Sequence, residues 1–263
     1  IRDYKVTGVQ TCALPIFWRN LQATGTRTSE ELAGLAMLLL QEGNESERRA
    51  ARRRLLLDDR YRSVLLDHLR TAKDCAEAKA LALIAAEQLP AKAALEVLSL
   101  AVSVGAEPAA AFVLLGRRDV SALQQAYEQS LASDLDPKLR DLLVAGVGFS
   151  GEPAAIEIAK LAQQSDPDPE VRLRAMFALT ANAPAALGES AIQRALDDPQ
   201  IRSHPQRLGA VVLALDNLAR AGEVNAIDRL GQRLRVTDGL TAGARLELEK
   251  ILARALPGGH TSR

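Results

Sequence analysis

The chain of 263 residues is poor in cysteine, histidine and aromatic side chains, and it carries no net charge. Two cysteines cannot form a disulfide framework or a four-thiolate zinc site. Clean apolar runs such as Leu35 to Leu40 are far shorter than the roughly 18 residues that a membrane-spanning helix needs. Because 33 acidic residues balance 33 basic ones, an evenly basic nucleic-acid binder is not expected either. These absences predict a soluble protein and leave its compartment open, with the cytoplasm favoured.

The abundant residues are alanine, leucine, arginine, glutamate and glutamine, which are all good helix formers. Apolar positions recur at intervals of three and four, as at Leu139, Leu142 and Leu143, and again between 208 and 218. No window alternates between apolar and polar residues with a period of two, so the sequence predicts no strands. The expected fold class is all-α.

Prolines and capping residues divide this helical sequence into short segments. Most prolines stand just ahead of an aliphatic run, a position that a helix tolerates: Pro90, Pro108, Pro137, Pro153, Pro169, Pro184, Pro199 and Pro205. Thr28 with Glu31, and Asp74 with Glu77, have the spacing of a capping box. Further helices are expected to open at Asp119, Asp136, Asp168 and Asp238.

The resulting prediction is a chain of short helices that pair into antiparallel hairpins. The expected helices cover about 29–41, 46–57, 60–71, 75–88, 91–104, 107–115, 119–132, 137–149, 152–164, 169–181, 185–196, 205–220, 223–235 and 239–255. Every second helix begins roughly 29 to 36 residues after the previous one, a period typical of stacked helical hairpins. A single hairpin cannot bury its own apolar faces, so about seven hairpins are expected to stack into an α-solenoid over 17–256, followed by a flexible tail at 257–263.

One segment carries a family resemblance. Residues 166–172 read Asp-Pro-Asp-Pro-Glu-Val-Arg and are followed by Ala175, Ala178 and Leu179, while residues 136–140 read Asp-Pro-Lys-Leu-Arg. Both segments resemble the second helix of a HEAT repeat. The resemblance implies an α-solenoid in which Arg140 and Arg172 bond neighbouring inter-repeat turns, and in which Asp136, Pro137, Asp168 and Pro169 form such turns. Tetratricopeptide repeats have a similar period and remain the competing assignment, although their consensus spacing is not met in any unit.

The opening residues 1–16 differ from everything that follows. They read IRDYKVTGVQTCALPI and show neither a helical nor a strand period. The segment resembles the conceptual translation of a common sequencing adapter, with residues 6–16 as one reading frame of its constant arm. We therefore expect residues 1–16 to be non-native and disordered, with the native N-terminus missing from the sequence.

Residues that could carry chemistry are few. The histidines His68, His204 and His260 have no second metal ligand at useful spacing, and Cys75 lies in an alanine-rich segment where we expect a buried, inert thiol. The histidines are also not followed by glutamate, as they are in the iron-binding dipeptides of HEAT-like deoxyhypusine hydroxylases. The sequence therefore predicts no catalytic, cofactor-binding or metal site.

The strongest charged feature is an arginine cluster near the N-terminal end. On a helix Arg48 and Arg52 share one face, and Arg49 and Arg53 share the next. The cluster is either a solvated helix face or a docking patch for an acidic protein, a phosphate group or a nucleic acid. The outward row of the second helices is expected to mix both signs of charge: Arg48, Arg52, Glu77, Lys138, Asp141, Glu170, Arg174, Asp216, Arg245 and Glu249.

These observations predict a non-enzymatic protein-binding scaffold or interaction module, with a protein or peptide bound on the concave helix layer. Fold alone does not determine function, so two alternatives stay open. A HEAT-like lyase or enzyme-accessory protein would be favoured by a pocket with clustered titratable groups. A nucleic-acid-binding HEAT-like protein would be favoured by a continuous basic groove.

Overall fold

The computed structural model describes residues 34, 40, 43–133, 136–148 and 152–256. The predicted adapter segment 1–16, most of the predicted first helix and the tail 257–263 lie outside these residues. Of the residues described, 85% are helical and none lies in a strand, so the predicted all-α class is confirmed. None of the helices in this part of the chain combines the length and the apolar character that crossing a membrane requires.

The described residues form fourteen α-helices, which are numbered in chain order. They are α1 (Glu45–Leu57), α2 (Asp59–Ala72), α3 (Cys75–Gln88), α4 (Ala91–Ser103), α5 (Ala109–Arg118), α6 (Val120–Ala132), α7 (Pro137–Gly148), α8 (Pro153–Ser165), α9 (Pro169–Asn182), α10 (Glu189–Asp197), α11 (Pro199–Arg202), α12 (Pro205–Ala221), α13 (Val224–Arg235) and α14 (Ala242–Ala255). A π-helical turn, Pro184–Gly188, leads into α10. The chain divides into two compact units at residue 108, with α1–α4 in the first and α5–α14 in the second.

Local signals place most helix starts. Pro137, Pro153, Pro169 and Pro205 are each the first residue of a helix, as predicted. The short helix α11 was not predicted, although Pro199 begins it in the same way. At the N-terminal end of α1, Asn44 and Glu47 form a reciprocal capping box that the sequence reading did not single out.

The predicted start of the last helix at 239 is wrong. Gly239 has a φ of +90°, in the left-handed region, so the helix cannot pass through it. Thr241 caps α14 instead of Asp238, because its side-chain oxygen accepts a hydrogen bond from the backbone N–H of Ala244.

In the first unit, the four helices pack as two consecutive pairs, and each helix of one pair also contacts one helix of the other. α1 contacts α2 and α3, and α4 contacts α2 and α3. Leucines supply most of the large buried side chains between these helices: Leu55, Leu56, Leu65, Leu69, Leu81 and Leu98. Their burial is what holds these short helices together, since helices of this length are marginal in water on their own.

The second unit contains two sets of helices, which alternate along the chain. In the five-helix layer, α5, α7, α9, α12 and α14 each contact the next member. The four-helix layer consists of α6, α8, α10 and α13, with contacts from α6 to α8 and from α10 to α13. Large apolar side chains fill the core of this unit, among them Met176, Ile192, Leu208, Val212, Leu215 and Leu230. This packed arrangement is compatible with a helical repeat protein.

In the five-helix layer, α5 and α7 approach each other closely at two glycines. A Cβ atom added to Gly116 would lie 2.4 Å from the carbonyl oxygen of Gly146, and one added to Gly146 would lie 2.7 Å from the carbonyl oxygen of Phe112. Only glycine allows the two backbones to pass at this distance.

Candidate functional site

The arginine cluster of α1 is partly used within the fold. The Nε of Arg52 donates to Glu77 Oε1 at 2.9 Å, and its Nη2 donates to Oε2 at 2.7 Å, so the pair is bidentate. The two side chains are only 12% and 13% exposed. The hydrogen bond to Glu77 raises the pKa of Arg52 although burial opposes it. Arg52 therefore joins α1 to α3.

The other three arginines of the predicted docking patch are more open. The side chain of Arg48 is 40% exposed and lies 3.5 Å from Glu45. Arg53 donates from Nη2 to the side-chain oxygen of Gln88 at 3.1 Å, and Arg49 is exposed. The four guanidinium groups thus have different surroundings, and Arg52 is the least exposed of the three whose side chains contact a carboxylate or an amide.

A cleft of about 510 Å³ opens beside Arg48 and Arg52 in the first unit. Its lining contains Leu40, Glu45, Arg48, Arg52, His68, Leu69, Asp74, Ala76 and Glu77. Several of these groups already have partners, because Glu77 pairs with Arg52, and Asp74 accepts hydrogen bonds from the backbone N–H groups at the start of α3. Among the titratable groups that line the cleft, the half-buried His68 is the one without a hydrogen bond or ion pair to another described residue.

No short sequence motif indicates this cleft, because its walls come from three helices and residue 40. His68 lines the cleft together with Asp74 and Glu77. Among the residues that the structure describes, no three histidine, cysteine, aspartate or glutamate side chains are placed so that they could hold a metal ion.

The expectation of a buried thiol at Cys75 is wrong. Cys75 is exposed, and its thiol donates to the carbonyl oxygen of Val104 at 3.3 Å. The reason is its position, because Cys75 is the first residue of α3, directly after the capping residue Asp74, and not an interior residue of the helix.

The predicted turn residue Arg140 lies in a buried ionic cluster. Its Nε donates to Asp166 Oδ2 at 2.9 Å, and the two side chains are 3% and 0% exposed. The hydroxyl of Tyr127 donates to the same oxygen at 2.8 Å, and the backbone N–H of Asp168 donates to Oδ1 at 2.9 Å. Burial, followed by the hydrogen bond to Asp166, raises the pKa of Tyr127 well above its usual range. The cluster joins α6 and α7 to the turn before α9.

Arg172, in the first turn of α9, makes corresponding contacts. Its Nε donates to Asp198 Oδ2 at 2.7 Å, and its Nη1 donates to the carbonyl oxygens of Asp166 and Pro167 at 2.6 and 2.9 Å. Burial alone raises the pKa of Asp198, but the hydrogen bonds from Arg172 and from two backbone N–H groups outweigh it and lower that pKa. Both arginines reach an aspartate 26 residues further along the chain.

The remaining predicted turn residues begin the helices that carry these arginines. The side chain of Asp136 accepts from the backbone N–H of Lys138 at 2.8 Å, and that of Asp168 accepts from Glu170 at 2.8 Å. Pro137 and Pro169 are the first residues of α7 and α9. The Asp-Pro start fixes where each helix begins, and the arginine three residues after the proline then lies in its first turn.

A second set of ion pairs connects successive helices within each layer, and the paired residues are 33 to 40 positions apart in the chain. In the five-helix layer, Arg174 binds Asp141 at 2.9 Å, Arg207 binds Glu170 at 2.7 Å, and Arg254 binds Asp216. In the four-helix layer, Arg229 binds Glu189 and Arg233 binds Asp197. In every one of these pairs the carboxylate lies on the earlier helix and the arginine on the later one. The hydrogen bond from Arg229 lowers the pKa of Glu189.

Comparisons of the chain with protein-family models, with curated proteins and with solved structures find no match.

Proposed function

We propose that the chain is built from HEAT-like repeats and serves as a protein-binding scaffold or interaction module. The observation that carries the proposal is the five-helix layer, in which each of the five helices contacts the next. The arginine-to-turn contacts of Arg140 and Arg172, repeated at the same spacing, support a repeat architecture. The Asp-Pro turn followed by arginine favours HEAT-like repeats over tetratricopeptide repeats.

The five-helix layer is suited to binding because its charged side chains are already ordered. Arg174, Arg207 and Arg254 are each held by a carboxylate on the preceding helix of the layer. A partner that contacts such a surface causes little further loss of side-chain freedom, and this lowers the entropic cost of association. Alternating positive and negative groups fit a protein or peptide better than a polyanion, which needs basic groups along its whole length.

The test is selection of peptides from an unbiased displayed library, followed by hydrogen exchange of the purified chain with a selected peptide. We expect peptides to be enriched and the five-helix layer to gain protection, while the outward face of α8 and α10 in the four-helix layer does not. Enrichment of no peptide, together with tight binding of random-sequence RNA and a steep salt dependence, would favour a nucleic-acid binder instead.

The cleft in the first unit supports a second candidate, an enzyme or enzyme-accessory protein that binds a small ligand. Its size is within the range of ligand pockets, and it brings His68 next to Arg48 and three carboxylates. A thermal-shift screen of small anionic and zwitterionic metabolites would test it. The site would be established if a compound raises the unfolding temperature of the wild-type chain but not that of His68→Ala or Arg48→Ala. Arg53 lies outside the cleft, so Arg53→Ala is the control and should still be stabilised.

A further inference from the structure

The outward face of the second unit carries apolar side chains on three adjacent helices of the five-helix layer. Leu213 on α12 is 53% exposed and Leu246 on α14 is 60% exposed. Phe177 on α9 is half-buried, with part of its ring packed against the core. A single exposed leucine is ordinary, so the significance lies in how the three are arranged.

The neighbours of Leu213 show that it lies at the middle of the outward face of α12. Three residues later in the helix, Asp216 binds Arg254 on α14, and one residue further Asn217 donates to Thr180 on α9. The core side of α12 is formed by Leu208, Val211, Leu215 and Leu218, which are fully buried. Leu213 therefore points away from the core, between its two neighbouring helices.

Leu246 has the same orientation on α14. The core side of that helix is formed by Ala244, Leu248, Ile251 and Leu252, and Leu246 lies opposite them on the helical wheel. Neighbouring helices pack about 8–10 Å apart, so three adjacent helices span about 20 Å, and Phe177, Leu213 and Leu246 lie on the outward sides of these three helices. We call these three residues the apolar strip.

The two helices that carry the exposed leucines have an excess of positive charge. They contain five basic and three acidic side chains, namely Arg207, Arg220, Arg245, Lys250 and Arg254 against Asp216, Glu247 and Glu249. Asp216 is shared by Arg220 and Arg254, so one carboxylate faces two guanidinium groups. Arg245 donates to the backbone carbonyl oxygen of Arg235. The surroundings of the apolar strip are therefore net cationic.

We propose that the apolar strip binds an acidic amphipathic helix of a partner protein. The strip is as long as about four helical turns, and apolar side chains spaced three and four residues apart in the partner would lie along it. Acidic residues on both flanks of that helix would meet Arg220, Arg245 and Arg254. This inference rests on the proposed function, because it names the partner of the same helix layer.

The experiment uses the full chain and a fluorescent synthetic peptide of about four turns, with leucines at i, i+3, i+4 and i+7 and glutamates on both flanks. Fluorescence anisotropy gives its Kd, and circular dichroism checks the folding of each variant. We expect Leu213→Ser and Leu246→Ser each to weaken binding about fivefold or more, because each removes one apolar contact of the strip. Leu83→Ser is the matched control, since Leu83 is an exposed leucine on α3 in the first unit, and it should leave Kd unchanged.

Charge is tested separately. Arg220→Glu and Arg245→Glu should lower the association rate about tenfold at low salt and much less at high salt, because they act through long-range attraction. A scrambled peptide of the same composition should bind at least tenfold more weakly, since its leucines no longer share one face.

Several results would overturn the inference. If the scrambled peptide binds as tightly as the designed one, or if the Leu213→Ser, Leu246→Ser double variant still binds the peptide, the apolar strip is not the contact. Binding of anionic vesicles or RNA that this peptide does not displace, or self-association of the chain that the double variant abolishes, would assign the strip a different partner. If library-selected peptides bind but are insensitive to the double variant, this inference fails and the proposed function stands. If no peptide of any chemistry binds, both fail.

Discussion

At the scale of single residues, the most unusual group is the carboxylate of Asp166, which is fully buried. Removing a charge from water costs several kcal/mol, and only good geometry with further hydrogen bonds offsets that cost. Asp166 has both, because Arg140, Tyr127 and the backbone N–H of Asp168 all donate to it. Its partners come from three separate segments, so the cluster specifies how those segments meet.

We expect Arg140→Leu to lower the free energy of unfolding by about 3–5 kcal/mol, because it leaves a buried carboxylate without its charged partner. Urea unfolding followed by circular dichroism measures the change. The control is Lys160→Leu, which breaks an exposed pair with Glu157 and should cost only about 0–1 kcal/mol.

The double variant Arg140→Leu, Asp166→Leu should recover much of the loss caused by Arg140→Leu, because the unpaired charge is gone. A loss of less than about 1 kcal/mol for Arg140→Leu, or additive losses in the double variant, would show that the pair is not coupled in this way.

Tyr127 predicts an alkaline limit to stability. Its pKa is raised in the folded chain by burial and by Asp166, whereas the unfolded chain has a tyrosine pKa of about 10. The stabilisation is complete below about pH 10 and is lost as pH rises further, because the unfolded chain then releases the proton that the folded chain retains. We expect the unfolding temperature of wild type to fall more steeply between about pH 9 and 11 than that of Tyr127→Phe. Parallel curves for the two proteins would contradict this.

At the scale of helices, backbone proximity determines how α5 and α7 cross. Gly146→Ala would place a Cβ atom 2.7 Å from the carbonyl oxygen of Phe112, which is too close for any real contact. The helices would have to separate, and we expect a loss of about 1–3 kcal/mol in the free energy of unfolding.

Gly243→Ala on α14 is the matched control for this helix crossing. No atom lies within 4 Å of its added Cβ, so the substitution should stabilise the chain by up to about 1 kcal/mol through helix propensity alone. Equal effects of the two substitutions in urea unfolding would mean that the crossing does not depend on glycine.

At the scale of the whole molecule, stacking predicts that stability is modular within the second unit. Ending the chain at Ala221 removes α13 and α14 and uncovers the side of α12 on which α14 packs. We expect the remaining helices to stay folded, with greater binding of a hydrophobic dye and lower solubility, because each repeat depends mainly on its neighbours. A chain ending at Leu256 keeps all fourteen helices and serves as the control. Loss of most of the helical circular dichroism signal in the shorter chain would show a single cooperative unit instead.

The sequence by itself determined the fold class and the places where most helices begin. The signals involved are local, since a proline or capping aspartate and the helical spacing of apolar residues act within one or two turns. The starts of α7 and α9 at Pro137 and Pro169 follow from such signals alone. The error in the start of the last helix has a local cause as well. Thr241 and Asp238 are both good capping residues, and the left-handed backbone at Gly239 decides between them, because the helix can begin only after it.

Only the tertiary structure decided which side chains are buried, paired or exposed. The sequence predicts the same exposed position for Arg49 and Arg52, but Arg52 binds Glu77, 25 residues away, whereas Arg49 is exposed. Residues 211–215 are all apolar, and helical spacing places Leu213 opposite Leu208 and Leu215, but only the tertiary structure shows that this side of α12 leaves Leu213 exposed. The physical reason is that burial and pairing depend on which surface a neighbouring helix covers, and side chains that meet across such a contact can lie 25 to 40 residues apart in the chain.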